Sequence, residues 1–201
     1  MKKASLVPVV LALLVSLSAC SRYPTKADDG ADWDEGWEML GPVLGVEAPG
    51  HGFTLLENDT VLAGDDTYYA SWTAGEPVPY VNENGRDADL YPAQIYLLLY
   101  GCGDEEYARA AMEDFIGREE GVYTVTERRT DTVGGQEYTV LIYDCDAETN
   151  PYERGASAFG IYRNFVVAAE LTCTADYAGD EQAILSDFLH GCHYSSELLK
   201  H

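Results

Sequence analysis

The chain has 201 residues, with 12 basic against 35 acidic side chains and a formal net charge of −23. That length suits one well-buried core and is short for two. The acid excess excludes nucleic acid as a partner, whose phosphates would be repelled, and argues against an anionic lipid surface.

Lys2 and Lys3 open the chain, an apolar run follows from Leu6 to Leu17, and Leu17-Ser18-Ala19-Cys20 closes the segment with small residues and a cysteine. This is the three-part plan of a secretory signal. The apolar stretch is shorter than the ~20 residues that cross a bilayer, and Pro8 interrupts it. Leu-Ser-Ala-Cys resembles the lipobox of bacterial lipoproteins. The resemblance covers only these first residues; it implies cleavage before Cys20, a diacylglyceryl group on the Cys20 sulfur, and acylation of the new amino terminus. Two or three acyl chains on one residue meet the two-anchor requirement for lasting membrane attachment. The expected organisation is a lipoprotein signal peptide at 1–19, the lipidated Cys20 and an acidic flexible spacer at 20–38, and a single domain at 39–201. Trp33 and Trp37 in the spacer sit four apart, spaced to dock one helical turn or to lie exposed.

Residues 52–57 and 67–73 are rich in Thr, Tyr and aliphatics and predict short strands. Asn84-Gly85 predicts a two-residue hairpin turn. Residues 93–100 (AQIYLLLY) are apolar on both alternations, the pattern of a central strand covered on both faces. From Asp104 to Arg118 the period changes: Ala108, Met112, Phe115 and Ile116 form one helical stripe, Asp104 caps it, and Gly117 or Gly121 is the expected stop. Residues 122–128 and 136–144 predict a strand pair turned at Gly134-Gly135, and 156–163 with 165–173 another turned at Arg163-Asn164. Phe165, Val167, Ala169, Leu171 and Cys173 share one face, while Glu170 and Thr172 point the other way. A last helix places Ile184, Leu185, Phe188 and Leu189 on one stripe, between Asp180 as cap and Gly191 as stop.

This order predicts an α+β fold, a largely antiparallel β-sheet packed by helices. From Phe53 to Tyr194 the pattern resembles the PsbP-like superfamily, through AQIYLLLY, the helix with Met112 and Phe115, YTVLIY, FVVAAEL and ILSDFLHGCHY. The resemblance implies an accessory or binding role without catalysis, and it carries over no functional residue.

Beyond Cys20 the cysteines are Cys102, Cys145, Cys173 and Cys192. An even number in an exported chain suggests disulfides, with buried free thiols as the other reading. Of three possible connectivities, Cys102–Cys145 and Cys173–Cys192 are expected, because Cys102 and Cys145 each follow a strand end. The final helix, lying back on the sheet, is expected to bring Cys192 to the end that carries Cys173.

No catalytic constellation stands out. Gly155-Ala156-Ser157-Ala158-Phe159-Gly160 departs from the Gly-x-Ser-x-Gly nucleophile elbow, so Ser157 reads as a strand residue. His190-Gly191-Cys192-His193 lacks the four rigid ligands of a structural metal site, and His190 suits the negative end of a helix dipole. His51 reads as a loop residue. Asn82, Asn84, Asp87 and Asp89 alternate oxygen ligands without the leading Asp and trailing Glu of a calcium loop. The chain has fifteen tyrosines, most of them expected to pack on half-buried strands with the hydroxyl at the rim; the other reading is that a cluster of them with Trp72 on one sheet face makes a contact surface for a ligand or protein. The expected function is a lipid-anchored extracytoplasmic binding or accessory module with no catalytic residue, metal or cofactor. Its partners are the membrane, through Cys20, and an unknown envelope protein or small ligand. The rivals are a cell-surface hydrolase with a scattered site, marked by a pocket holding a histidine beside a carboxylate, and a metal-responsive envelope protein.

Overall fold

The computed structural model describes residues 44–46, 49–59, 67–82, 85–102, 104–146, 150–162 and 164–194. The expected signal peptide, Cys20 and the spacer with Trp33 and Trp37 lie outside them.

Seven strands form one sheet in the order β2-β3-β6-β10-β9-β8-β7, and every neighbouring pair is antiparallel. The strands are β2 (Phe53–Asp59), β3 (Thr67–Ala74), β6 (Ala93–Gly101), β7 (Thr124–Val133), β8 (Gln136–Asp144), β9 (Arg154–Tyr162) and β10 (Phe165–Cys173). Two small ribbons stand beside it: β1 (Leu44–Val46) with β11 (Cys192–Tyr194), and the hairpin β4 (Val78–Val81) with β5 (Asp87–Leu90). β7 to β10 are a meander, as the turn residues predict. β6 lies inside the sheet between β3 and β10, which is why both of its alternations are apolar.

Two helices cover the two faces. α1 (Glu105–Val122) buries Ala108, Ala111, Phe115 and Ile116 against Leu98, Tyr100, Leu141, Phe159 and Val166. α2 (Glu181–His190) buries Ile184, Leu185, Phe188 and Leu189 on the opposite face, against Trp72, Ile95, Leu97, Val167 and Leu171. Both caps are those the sequence indicates. The Asp104 carboxylate accepts from the Tyr107 N–H at 2.9 Å and the Asp180 carboxylate from the Ala183 N–H at 2.9 Å, each meeting an orphan donor of the first turn. The start of α2 is fastened by Arg154, whose guanidinium donates to Glu181 Oε2 and to the carbonyls of Thr174, Tyr177 and Gly179.

Three expectations are corrected. α1 does not stop at Gly117 or Gly121 but runs on to Val122, with Tyr123 as its C-cap. A glycine costs a helix only about 1 kcal/mol, less than burying Ile116 and the turn after it returns. The Asn84-Gly85 turn is wider than two residues: Val81 pairs with Asp87, so the loop spans 82–86, with Gly85 at φ +72°.

The disulfides are the third. Cys102, Cys145, Cys173 and Cys192 are free thiols in the structure. The Cys102 N–H bonds to the carbonyl of Asn164, at the start of β10. The Cys145 N–H bonds to Glu153, whose own N–H bonds to Cys173 at the end of β10. Eight strand steps of about 3.3 Å separate those ends, far beyond the ~7 Å Cα limit for a disulfide. Cys173 and Cys192 do face the same core, yet α2 starts beside Cys173 and its ten residues carry the far end about 15 Å away. Cys192 Sγ instead donates to the Phe188 carbonyl at 3.4 Å.

Candidate functional site

The sheet face under α1 is apolar at one end and polar at the other. α1 lies over β9 and β10, so the same face of β3 and β6 runs out from under it. The side chains there are Tyr69, Ser71, Thr73, Gln94 and Tyr96, followed on β10 by Glu170 and Thr172. Ser71, Glu170 and Thr172 are all at least nine-tenths buried. The alternation of β10 is therefore as the sequence indicates, but the face carrying Glu170 is interior. Trp72, whose neighbours Ser71 and Thr73 point into this face, faces α2 instead and meets Phe188 edge-on at 5.2 Å. The expected cluster of tyrosines with Trp72 is thus divided by the sheet.

Glu170 is the centre of this region. Its Oε1 accepts from the hydroxyls of Tyr123 and Tyr143, each at 3.0 Å. The two rings stack at 4.1 Å and 4°. Tyr143 reaches this position because Gly155 on the neighbouring strand has no side chain: a Cβ there would lie 2.6 Å from the Tyr143 ring. Tyr123 is placed by the end of α1 and Tyr143 by β8. The Ser157 hydroxyl lies 3.4 Å from the Tyr143 hydroxyl and completes the cluster.

A second carboxyl adjoins it. Glu119, on the last turns of α1, is 3 % exposed, and its Oε2 has no hydrogen-bond partner. Burial, then the Glu170 charge, pushes Glu119 well above the usual carboxylate range, and only Ser157 opposes the shift. Burial raises Glu170 too, and the Tyr143 and Tyr123 hydroxyls offset only part of that rise. Glu119 therefore holds its proton the more firmly of the two, and Glu170 is the one whose ionised form two hydroxyls help to stabilise. Burial raises Tyr96, Tyr123, Tyr143 and Tyr152, so they stay phenols and donate.

Glu170 forms part of the wall of a cavity of about 150 Å³ between the sheet and the β4–β5 hairpin. Tyr96 and Gln94 from β6, Thr172 from β10, Tyr123 from the end of α1 and Asn150 to Tyr152 from the loop before β9 enclose one side. Tyr80, Ala88, Asp89, Leu90 and Tyr91 from the hairpin and its exit enclose the other. The Tyr152 hydroxyl donates to Gln94 Oε1 at 3.0 Å, and Tyr96 packs on Tyr69 with centroids 5.6 Å apart. The described residues lining the cavity are tyrosines, carboxyls, amides, Thr172 and the apolar Leu56, Ala88, Leu90 and Pro151, with no Arg, Lys or His. Beside it, a cleft of about 20 Å³ reaches Glu119 between Leu98, Phe115 and Phe159, room for about one water.

The residues singled out by sequence lie elsewhere or take plainer roles. Ser157 is a fully buried β9 residue. His51, in the left-handed region at φ 49°, meets Asp187 at 2.7 Å, but the pair is 38 % and 61 % exposed. His190 Nδ1 lies 2.9 Å from the Ser186 carbonyl within α2. Asp87 is exposed on the hairpin, Asp89 lines the cavity mouth and Asn84 lies outside the described residues. Among the described residues no group of three or more His, Cys, Asp and Glu gathers as a metal site. No described helix is long and apolar enough to cross a membrane.

No protein-family model and no curated protein matches the chain. Among solved structures it is similar to cyanobacterial PsbP from Synechocystis sp. PCC 6803, with a TM-score of 0.40 and 11 % identity over 72 % of this chain and 93 % of that one. It is also similar to a Pseudomonas aeruginosa protein of unknown function, a candidate regulator, with a TM-score of 0.31 and 16 % identity over 50 % of this chain and 85 % of that one.

Proposed function

We propose that this protein is a lipid-anchored extracytoplasmic binding module and that its ligand site is the tyrosine-lined cavity over Glu170. The observation that carries the reading is the cavity: it has an aromatic wall, a few polar groups converging on one point, and a carboxyl of shifted acidity at its base. The leader ending in Leu17-Ser18-Ala19-Cys20 supports the anchor and the compartment.

A second reading, a hydrolase, rests on the Glu119 and Glu170 pair, two adjoining buried carboxyls of which only Glu170 is held by tyrosine hydroxyls. Geometry favours binding over it. The cleft at Glu119 admits about one water and no substrate, and the cavity touches only Glu170 of the pair.

Two measurements test the proposal. Intact mass of protein extracted from native membranes is expected to show an acylated chain beginning at Cys20, and Cys20→Ser is expected to move it from the detergent phase to the aqueous phase. An unacylated, uncleaved amino terminus overturns the anchor. For the site, native mass spectrometry of gently purified protein is expected to show a small molecule that Ala88→Trp, which plugs the cavity mouth from the hairpin, excludes. A molecule retained in full by that variant is bound elsewhere.

A further inference from the structure

We propose that the cavity over Glu170 is a cage for a small organic cation, an alkylammonium group held between tyrosine rings and the Glu170 carboxylate. The inference rests on the binding reading above and names its ligand class.

Charge carries the argument first. Glu170 is 94 % buried by its 6 % exposure, and its Oε1 accepts two phenol hydrogen bonds, which stabilise the carboxylate form against the desolvation that burial imposes. A buried carboxylate calls for a counter-charge. None is supplied by the lining, which among the described residues has no basic side chain. Lysine occurs only at positions 2, 3, 26 and 200, all outside the described residues. The arginines Arg128, Arg129 and Arg154 are engaged by carboxylates of their own. Glu119, the carboxyl that adjoins Glu170, offers no positive charge in either protonation state.

The walls carry it second. Tyr80, Tyr91, Tyr96, Tyr123 and Tyr152 come from separate elements and enclose one space. Electron-rich rings attract a cation, and the attraction grows when the site is shielded from water. Asp89 at the mouth adds a second negative group on the approach. An anionic ligand would meet both carboxyls with no compensating cation, and a neutral polyol would leave Glu170 without a counter-charge. An organic ammonium satisfies both the rings and the acid. A bare metal ion would leave the aromatic wall unused.

Isothermal titration of the full chain tests this with four probes: tetramethylammonium, n-butylammonium, tert-butanol as a neutral match in shape, and n-butyrate as an anionic one. One or both ammonium ions are expected to saturate one site at least tenfold more tightly than tert-butanol, with no binding of butyrate. Glu170→Gln is expected to weaken the ammonium ion at least tenfold, and Ala88→Trp to abolish it. Circular dichroism spectra matching the parent establish that both variants are folded. If tert-butanol binds as tightly as the ammonium ions and Ala88→Trp abolishes both, the cavity is a binding site and the cation assignment is wrong. If the ammonium ions bind but neither substitution alters them, they bind elsewhere and the inference fails. If no probe binds at millimolar concentration, the inference fails, while the broader reading is judged separately by the co-purified ligand.

Discussion

Glu119 is a side chain whose cost depends on pH. Its pKa in the folded protein lies well above the ordinary carboxylate range, through burial and the neighbouring Glu170. The folded state therefore holds a proton that the unfolded state gives up. The stability linked to that proton is fully present below the ordinary carboxylate range and is lost as pH rises through the folded value. Glu119→Gln removes the titration while keeping size and polarity. Its stability relative to the parent is expected to rise between pH 5 and pH 8, because only the parent loses the stabilisation linked to that proton. Chemical denaturation at the two pH values measures it, and an equal difference at both would show that Glu119 titrates normally. Glu170→Gln is expected to act differently, because it leaves the Tyr123 and Tyr143 hydroxyls facing an amide whose oxygen accepts more weakly than a carboxylate.

At the scale of elements, glycines at two places carry opposite consequences. Gly117 is an exposed position inside α1 with nothing within 4 Å of where a Cβ would stand. Gly117→Ala is expected to stabilise the protein by about 0.5–1 kcal/mol, by removing backbone freedom from the unfolded chain and favouring helix. Gly155 lies inside β9, where a Cβ would come 2.6 Å from the Tyr143 ring and 2.7 Å from the Leu171 carbonyl. Gly155→Ala is expected to cost about 2 kcal/mol by overpacking and to push the Tyr143 hydroxyl from Glu170. Denaturant midpoints read both effects; an unchanged midpoint for Gly155→Ala would mean that Tyr143 is not seated against that strand. The hairpin β4–β5 shows a different consequence of element placement. It pairs only with itself, so its position over the sheet rests on side chains, and it is the wall of the cavity from which Ala88→Trp is placed to plug it.

At the scale of the molecule, the strand order decides the chemistry of the thiols. Cys102 lies beyond the start of β10, Cys145 beyond the end of β8 where Cys173 closes β10, and Cys192 beyond the far end of α2. Burial pushes Cys145, Cys173 and Cys192 up to about 12, which leaves little thiolate to react or oxidise at neutral pH. Protein denatured without reductant is expected to alkylate at Cys102, Cys145, Cys173 and Cys192. Under native conditions alkylation is expected to be slow, with partly exposed Cys145 first. Peptide mass mapping distinguishes this from a cross-linked chain, in which denaturation alone would free none of them.

Patterns that repeat along the chain were legible without a fold. The 3.6-residue stripe of α2 named its four buried residues, the two-residue alternation of β10 named the five that share a core, and Asp104 and Asp180 announced their helices. Each reports a local demand, to bury one face or to satisfy one helix end. The double apolar alternation of β6 likewise told of a covered central strand. The cavity left no such trace. Tyr96, Tyr123, Tyr152 and Glu170 are far apart in sequence and meet because β6 pairs with β10, α1 runs past Gly117, and Gly155 clears space for Tyr143. Register and crossover bring them together, and those are set by how the whole sheet buries both its faces at once. The same reason defeated the cysteine pairing: each cysteine was correctly placed at the end of its element, but which ends adjoin is a property of the sheet order alone.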